Sequence, residues 1–182
     1  MLTKIKKNIS DAALILDCTK SQDERGTFHK VYNSLDKNYA SLVSIDQVNI
    51  VSNRRAGTMR GLHYQKAPFG EKKIIKVLDG KILDFILCIN KDHSMFGELF
   101  MLEMSSNNNK SLVISDDFAH GYITLVDNTW VSYVHEGQHE AEYEDGINFQ
   151  SLLQSRKIIL PVEVTSLSQR DKNFVTFEEY SR

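Results

Sequence analysis

The chain has 182 residues, 41% of them hydrophobic, which is enough to bury one core, so a single domain over residues 1–182 is expected. A formal net charge of −2 excludes a general electrostatic attraction to nucleic acid or to an anionic membrane. The two cysteines, Cys18 and Cys88, are too few for a disulfide scaffold and form no Cys-x-x-Cys pair, which leaves zinc and thioredoxin chemistry without support.

The N-terminal segment MLTKIKKNISDAALIL carries positive charge at its front, but its apolar run is short and is interrupted by Asp11. We therefore expect it to be part of the mature protein and not a signal peptide. No apolar run in the sequence approaches the ~20 residues that a membrane-spanning helix needs. These features predict a cytoplasmic protein that works without a membrane.

Short strands separated by turn residues dominate the sequence from Leu42 onward. Residues 41–52 (SLVSIDQVNIVS) alternate between apolar and polar over much of their length, as a strand with one buried face does. Two apolar, β-rich runs in residues 73–89 (KIIKVLDGKILDFILCI) flank Asp79-Gly80, a dipeptide favoured in two-residue type I′ turns. This pattern predicts a β-hairpin centred on that pair.

Further strand candidates continue toward the C-terminus. They are FGELFMLEM (96–104), SLVIS (111–115), GYITLV (121–126) and TWVSYV (129–134), and the polar turn SSNNNKS (105–111) leads into the second of them. Because no long helical pattern separates these runs, their spacing favours an antiparallel sandwich or barrel. Residues 146–157 (GINFQSLLQSRK) are predicted to be partly helical, and Pro161 ends the element that precedes it.

The stretch RGLHYQ, residues 60–65, has a density of polar groups that a buried strand does not need. It lies in a basic strip, residues 54–76, where seven basic side chains face a single acid, Glu71. Such a strip suits a small anionic ligand. A second histidine, His120 in FAHGY, precedes Gly121, where a strand is expected to begin, so His63 and His120 are candidates for the interior of a small barrel.

Two barrel histidines suggest a metal site like that of cupins, which resembles a His-x-His pair with a nearby Glu and a further His after a Pro-x-Gly turn. Here Gln65 stands where the second histidine of the pair would be. The sequence before His120, SDDFA, contains neither the Pro nor the Gly. The ligand set is incomplete, so no metal is predicted.

Without a metal, histidines in a polar barrel can perform acid–base chemistry. A neutral imidazole accepts a proton better when a carboxylate orients its other ring nitrogen, although the sequence alone does not choose among the carboxylates. A proton taken from carbon leaves a negative charge that a cation must stabilise, and Arg60, Lys72 and Lys73 are the nearby candidates. A tyrosine hydroxyl can then supply a proton to the opposite face.

Several motifs occur in order along the chain. They are Arg25-Gly26-x-Phe28, Gln47-x-Asn49-x-x-Ser52, RGLHYQ (60–65), Lys73 before IIKVLDGKILD, FAHGY (118–122), Tyr133, EDGI (144–147), Pro161 and SLSQRD (166–171). Together they resemble the dTDP-4-dehydrorhamnose 3,5-epimerase family from about residue 12 to residue 172. RGLHYQ followed at this spacing by AHG is a specific combination, whereas either motif alone would be weak.

The resemblance implies an all-β fold, a double-stranded β-helix of the cupin or jelly-roll type with short N- and C-terminal extensions. It also implies a homodimer that works without a metal or other cofactor. The implied reaction is epimerisation at carbons 3 and 5 of a nucleotide-diphosphate-linked 4-keto-6-deoxyhexose. A base removes a proton beside the keto group, an enolate forms, and an acid returns a proton to the opposite face.

The resemblance further implies roles for individual residues. His63 is expected to be the base, with Asp171 as its orienting carboxylate. Lys73 is expected to stabilise the enolate and Tyr133 to act as the acid. The implied substrate-binding residues are Arg25, Phe28, Gln47, Asn49, Arg60, His120 and His139, of which the first two are expected to reach the neighbouring subunit's site.

The sequence departs from the family pattern at several places. Lys30 replaces a Glu, Asn90 an Arg, Ser115-Asp116-Asp117 a Pro-x-Gly turn, His139 a Tyr and Leu160 a Trp. Because the base, the cation and the acid are retained, the proton chemistry is expected to persist, while the sugar, the nucleotide and the number of epimerised carbons stay open. The alternatives are a 3-epimerase or related sugar isomerase, a cupin-type metal oxygenase, and a non-catalytic sugar-binding relative.

Overall fold

The computed structural model describes residues 4–10, 12–18, 20–36 and 44–182, and most of its regular structure is β-strand. The strands are β1 (Lys4–Ser10), β2 (Ala13–Asp17), β3 (Lys20–Asp23), β4 (Gly26–His29), β5 (Gln47–Asn53), β6 (Met59–Gln65), β7 (Lys72–Asp79), β8 (Lys81–Cys88), β9 (Leu99–Ser105), β10 (Lys110–Ile114), β11 (Phe118–Thr124), β12 (Thr129–Glu136) and β13 (Glu144–Gly146). The helices are α1 (Phe149–Ser155), α2 (Gln169–Lys172) and α3 (Phe177–Tyr180).

Two antiparallel sheets face each other and form a jelly roll. The six-stranded sheet has the order β1-β2-β10-β7-β12-β5, and the five-stranded sheet has the order β13-β6-β11-β8-β9. Strands β3 and β4 pair only with each other among the described residues and form a hairpin outside both sheets. The predicted all-β fold of the cupin type is confirmed.

The predicted hairpin at Asp79-Gly80 is wrong, because the strands on either side of it belong to different sheets. Strand β7 pairs with β10 and β12, whereas β8 pairs with β9 and β11. Gly80 has a φ of 82°, but Asp79 does not share the positive φ that a type I′ turn requires at both positions. The chain instead crosses there from one layer to the other, as it also does between β9 and β10 and between β11 and β12.

The strands contribute side chains to three apolar clusters, of which one, formed by Leu16, Ile74, Val113 and Val134, belongs to the six-stranded sheet alone. The inner layer lies between the sheets and includes Ile75, Phe118 and Val131. The second layer lies on the other face of the five-stranded sheet, where Phe85 packs edge to face against Phe149 of α1 at 4.7 Å between ring centroids. The helix predicted within residues 146–157 is therefore confirmed as α1, and it covers this sheet.

The strand expected to begin at Gly121 begins at Phe118. In the alternating stretch of residues 41–52, residues 41–43 lie outside the described residues, residues 44–46 are not in a strand, and residues 47–52 belong to β5. Among the described residues there is no helix with the length and apolar character needed to cross a membrane.

Candidate active site

A cavity of about 330 Å³ lies between the two sheets, a volume in the range of small-molecule sites. Strands of both sheets line it with polar side chains. The predicted site residues that line it are Gln47, Asn49, Arg60, His63, Lys73, His120, Tyr133 and His139. The structure thus brings together residues that are widely separated in the sequence.

Strand register places the two histidines beside each other. His63 of β6 is the direct partner of His120 of β11 in the antiparallel pairing. The two strands approach closely at Gly61, which has a φ of 97° and where an added Cβ would lie 2.5 Å from the carbonyl oxygen of His120. Only glycine combines this backbone angle with this separation, so the glycine of RGLHYQ allows the histidine pair to form.

His63 is held by a carboxylate from the C-terminal part of the chain. Its Nε2 donates to Oδ1 of Asp171 at 2.9 Å, and the other oxygen of Asp171 accepts from the backbone N–H of Gly61 at 3.1 Å. Burial raises the pKa of Asp171, but the hydrogen bond and charge of His63 and the Gly61 amide outweigh it and lower the pKa overall. The ionised carboxylate directs the proton of His63 to Nε2 and leaves Nδ1 as the nitrogen that can accept another.

A second histidine–carboxylate pair lies deeper in the barrel. Nε2 of His120 bonds to Oδ2 of Asp84 at 2.8 Å, and both side chains are buried. Burial raises the pKa of Asp84, against the opposing effect of His120. Sequence reasoning missed Asp84, although an acid in the middle of the apolar run ILDFIL is a signal that a buried partner exists.

Tyr133 belongs to a hydrogen-bonded group of polar side chains. Burial raises its pKa well above the ordinary value, and the neighbouring Tyr122 and Asp84 add to the increase. The Tyr122 hydroxyl donates to Oδ1 of Asn53 at 3.2 Å, and Nε of Arg60 donates to the same oxygen at 2.9 Å. Because its pKa is raised, Tyr133 stays protonated at neutral pH, as a general acid must before it acts.

Lys73, and not Lys72, is the lysine that faces the cavity. Its Nζ forms an ion pair with Oε1 of Glu71 at 2.6 Å, whereas Lys72 pairs with Glu136 at 3.4 Å. The other oxygen of Glu71 accepts from Nδ1 of His135 at 2.9 Å. Sequence reasoning assigned no site role to Glu71 or to His135, although each lies two residues from a predicted site residue on an extended chain and so faces the same side.

Three of the four histidines that line the cavity are bonded to carboxylates. His63, His120 and His135 are each bonded to one carboxylate. Within the described ranges no group of three or more His, Cys, Asp or Glu side chains is arranged as metal ligands would be. The geometry provides three acid–base pairs around one cavity.

The seven basic residues of the strip do not form one surface, and their predicted role in binding a small anion stays a prediction. Lys76 is fully buried and donates to Oδ1 of Asn109 at 2.8 Å. Lys66 pairs with Asp145 at 3.1 Å. Of residues 54–76, all of which are described, the basic residues in the cavity wall are Arg60 and Lys73.

Two predicted substrate-binding residues lie outside the cavity of their own chain. Arg25 and Phe28 belong to the β3–β4 hairpin, and both side chains are exposed. Arg25 forms an ion pair with Asp23 at 2.7 Å in the same hairpin. Their roles as substrate-binding residues of a neighbouring subunit's site stay predictions.

Comparison with known proteins agrees with this geometry. The family model described as dTDP-4-dehydrorhamnose 3,5-epimerase matches residues 6–179. A protein of that name from Shigella flexneri is 31% identical over 171 residues, which are 93% of this chain and 92% of the relative.

Solved structures agree as well. The crystal structure of dTDP-4-dehydrorhamnose 3,5-epimerase from Bacillus anthracis with TDP and PPi bound has 30% identity and a TM-score of 0.85, with 96% of this chain and 99% of that chain covered. A dTDP-6-deoxy-D-glucose-3,5-epimerase from Legionella pneumophila in complex with dTDP-4-keto-L-rhamnose has 25% identity and a TM-score of 0.85, with 97% and 93% covered. The chain belongs to the dTDP-4-dehydrorhamnose 3,5-epimerase family.

Proposed function

We propose that the protein epimerises carbons 3 and 5 of a dTDP-linked 4-keto-6-deoxyhexose. The observation that carries the proposal is the His63–Asp171 pair at 2.9 Å, facing a cavity that Lys73 and Tyr133 also line. The family model and the relatives that bind TDP or dTDP-4-keto-L-rhamnose support the substrate class. The proposed partner is therefore a small nucleotide sugar.

In the proposed mechanism a base acts on one face of the sugar ring and an acid acts on the opposite face. Nδ1 of His63 takes the proton from the carbon beside the keto group, and the electrons of that C–H bond move to the keto oxygen to give an enolate. Lys73 stabilises the oxygen, an effect often worth ~3–4 kcal/mol in such sites. Tyr133 then donates its proton to the opposite face of the same carbon, which inverts the configuration.

Incubation with dTDP-4-keto-6-deoxyglucose in heavy water, followed by NMR, tests the proposal. We expect deuterium at both carbon 3 and carbon 5, because each carbon loses its hydrogen to His63 and gains one from a solvent-exchanged acid. Label at carbon 3 alone would instead identify a 3-epimerase. Binding of the sugar nucleotide with no label at either carbon would identify a non-catalytic relative.

A second copy of the chain is the proposed occupant of the outer face of β5. Val48 and Ile50 point away from the cavity and are 60% and 59% exposed, on a strand at the edge of its sheet. Adjacent apolar side chains on an edge strand favour association, and the β3–β4 hairpin carries the exposed Phe28 that is expected to reach the neighbouring site.

Light scattering of the purified protein should give twice the mass of one chain, and Ile50→Lys should shift the population toward monomer. The change places an ammonium group in the proposed interface, where burying it without a partner is unfavourable. Met101→Lys is the matched control, since Met101 is 52% exposed on β9 at the edge of the other sheet. A wild-type monomer, or an Ile50→Lys protein that stays dimeric, would contradict the assignment of this face.

A further inference from the structure

A cluster of three titratable side chains, Lys73, Glu71 and His135, forms one wall of the cavity. Glu71 lies at its centre, with Oε1 2.6 Å from Nζ of Lys73 and Oε2 2.9 Å from Nδ1 of His135. The three side chains are 7%, 10% and 12% exposed in the order Lys73, Glu71 and His135. Both oxygens of the carboxylate are therefore engaged in a largely dry environment.

Strand pairing places two members of this cluster side by side. Lys73 and His135 are direct partners in the β7–β12 pairing, so their side chains stand beside each other on the inner face. The His135 ring also stacks on Tyr133, with 5.7 Å between ring centroids and an interplanar angle of 25°. The cluster therefore contains the enolate-stabilising lysine of the proposed mechanism and contacts its acid, Tyr133.

The charge of this cluster matters for enolate stabilisation. An ammonium group 2.6 Å from a carboxylate presents little net charge to a third group, because the two opposite charges nearly cancel at a distance. Burial raises the pKa of Glu71, but the His135 hydrogen bond and the Lys73 charge outweigh it and lower the pKa to about 2. Glu71 is thus ionised at every working pH. Its negative charge cancels the positive charge of Lys73, so these two residues together are neutral.

We propose that Glu71 is a positioning residue for Lys73 and that protonation of His135 supplies the net positive charge that the enolate requires. With a neutral His135 the cluster carries one ammonium and one carboxylate and is neutral overall. With a protonated His135 it carries a net charge of +1. This inference rests on the proposed epimerase function and adds a proton-linked control of it.

Other ionisable groups near His135 have to be considered in any pH experiment. On its own strand these are Tyr133 and Glu136, and across the cavity they are Arg60, His63, His120, His139 and Glu144. Lys72 bonds to Glu136, and Asp46 lies just before β5, where its backbone N–H donates to the carbonyl of His135. Glu71 is the carboxylate that bonds to the His135 ring itself.

The pH profile of deuterium incorporation distinguishes charge from simple packing. In the wild type we expect the rate on the alkaline side of the profile to fall about fivefold or more as the cluster loses its net positive charge, a coupling of ordinary size between two bound groups. His135→Gln can still donate to Glu71 but cannot gain a proton. The rate of deuterium incorporation by His135→Gln should therefore stay at the low level that the wild type reaches at alkaline pH, and its pH profile should show no alkaline fall.

The double variant Glu71→Gln/His135→Gln gives the decisive comparison. Removing the carboxylate charge leaves Lys73 uncompensated, so the double variant should recover most of the rate that His135→Gln alone loses. A purely structural role of the hydrogen bonds would make the double variant slower than either single variant, and that result would overturn the proposal. His135→Gln and the double variant both lack the imidazole ring that stacks on Tyr133, so a difference between their rates reports the charge of Glu71.

Calorimetry of dTDP binding provides a readout that does not depend on turnover. Measured in buffers with different ionisation enthalpies, wild-type protein should take up protons when dTDP binds, because an anion near the cluster favours the protonated form of His135. His135→Gln should take up fewer, and His93→Gln, which changes a histidine outside the cavity wall, should match the wild type. Equal uptake by wild type and His135→Gln would overturn the proposal.

Deuterium incorporation distinguishes the epimerase function from the role of His135. If the wild type incorporates no deuterium at any pH, the proposed epimerase function is wrong. If the wild type incorporates deuterium but His135→Gln keeps the same pH profile, the function stands and the role of His135 is wrong.

Discussion

His63→Ala is expected to reduce the incorporation of solvent deuterium into the sugar by about 10²–10⁴-fold, the usual contribution of a positioned general base. The variant removes the nitrogen that accepts the carbon-bound proton. It also leaves the buried carboxylate of Asp171 without the donor that lies 2.9 Å away in the wild type. A loss of stability is therefore expected in addition to the loss of exchange.

His63→Gln separates the two effects. The glutamine amide can donate to Asp171 as Nε2 does, but it cannot act as a base, so this variant should keep the fold and still lose exchange. His93→Ala, a change outside the cavity wall, should leave the exchange rate unchanged. NMR measures the exchange, and urea unfolding measures the stability. Wild-type exchange in the folded His63→Gln protein would rule out His63 as the base.

Tyr133→Phe is expected to lower the rate of inversion by about 10²–10⁴-fold, while dTDP affinity changes little. The phenylalanine ring keeps the stacking on His135 and loses only the hydroxyl proton. His63 still removes and can return a proton on its own face. The variant should therefore incorporate deuterium with retention of configuration, which NMR of the recovered sugar would detect.

Tyr180→Phe is the matched control for this change. Its hydroxyl donates to the carbonyl of Ile89 at 3.0 Å, and it does not line the site cavity. Inversion in this control should proceed at the wild-type rate. Unchanged inversion in Tyr133→Phe would assign the acid to another group.

Much of the fold was accessible from local pattern. The β-rich runs around residues 73–89, 96–104 and 121–134 all form strands, and the helical stretch before Pro161 forms α1. These features depend on the alternation of apolar and polar side chains, which is a property of neighbouring residues. Ordered motifs, above all RGLHYQ and the later AHG, identified the family and directed attention to His63.

The pairing of the strands could not be predicted from local sequence pattern. The Asp79-Gly80 pair has the residues of a hairpin turn, and local propensity favours one, yet β7 and β8 lie in different sheets. The choice between a hairpin and a crossing is made by burial, since the strands on both sides are apolar and each needs a layer to pack against. Turn residues permit either outcome.

The contacts that give the site its chemistry were decided by the tertiary structure. His120 and Asp84 are 36 positions apart in sequence, and His135 and Glu71 are 64 apart, so no local window contains either pair. Lys73 and Lys76 look equivalent in the sequence, but one faces the cavity and the other is buried against Asn109. Residue type and order are written along one dimension, whereas charge compensation and proton transfer depend on distances of about 3 Å that only the closed barrel creates.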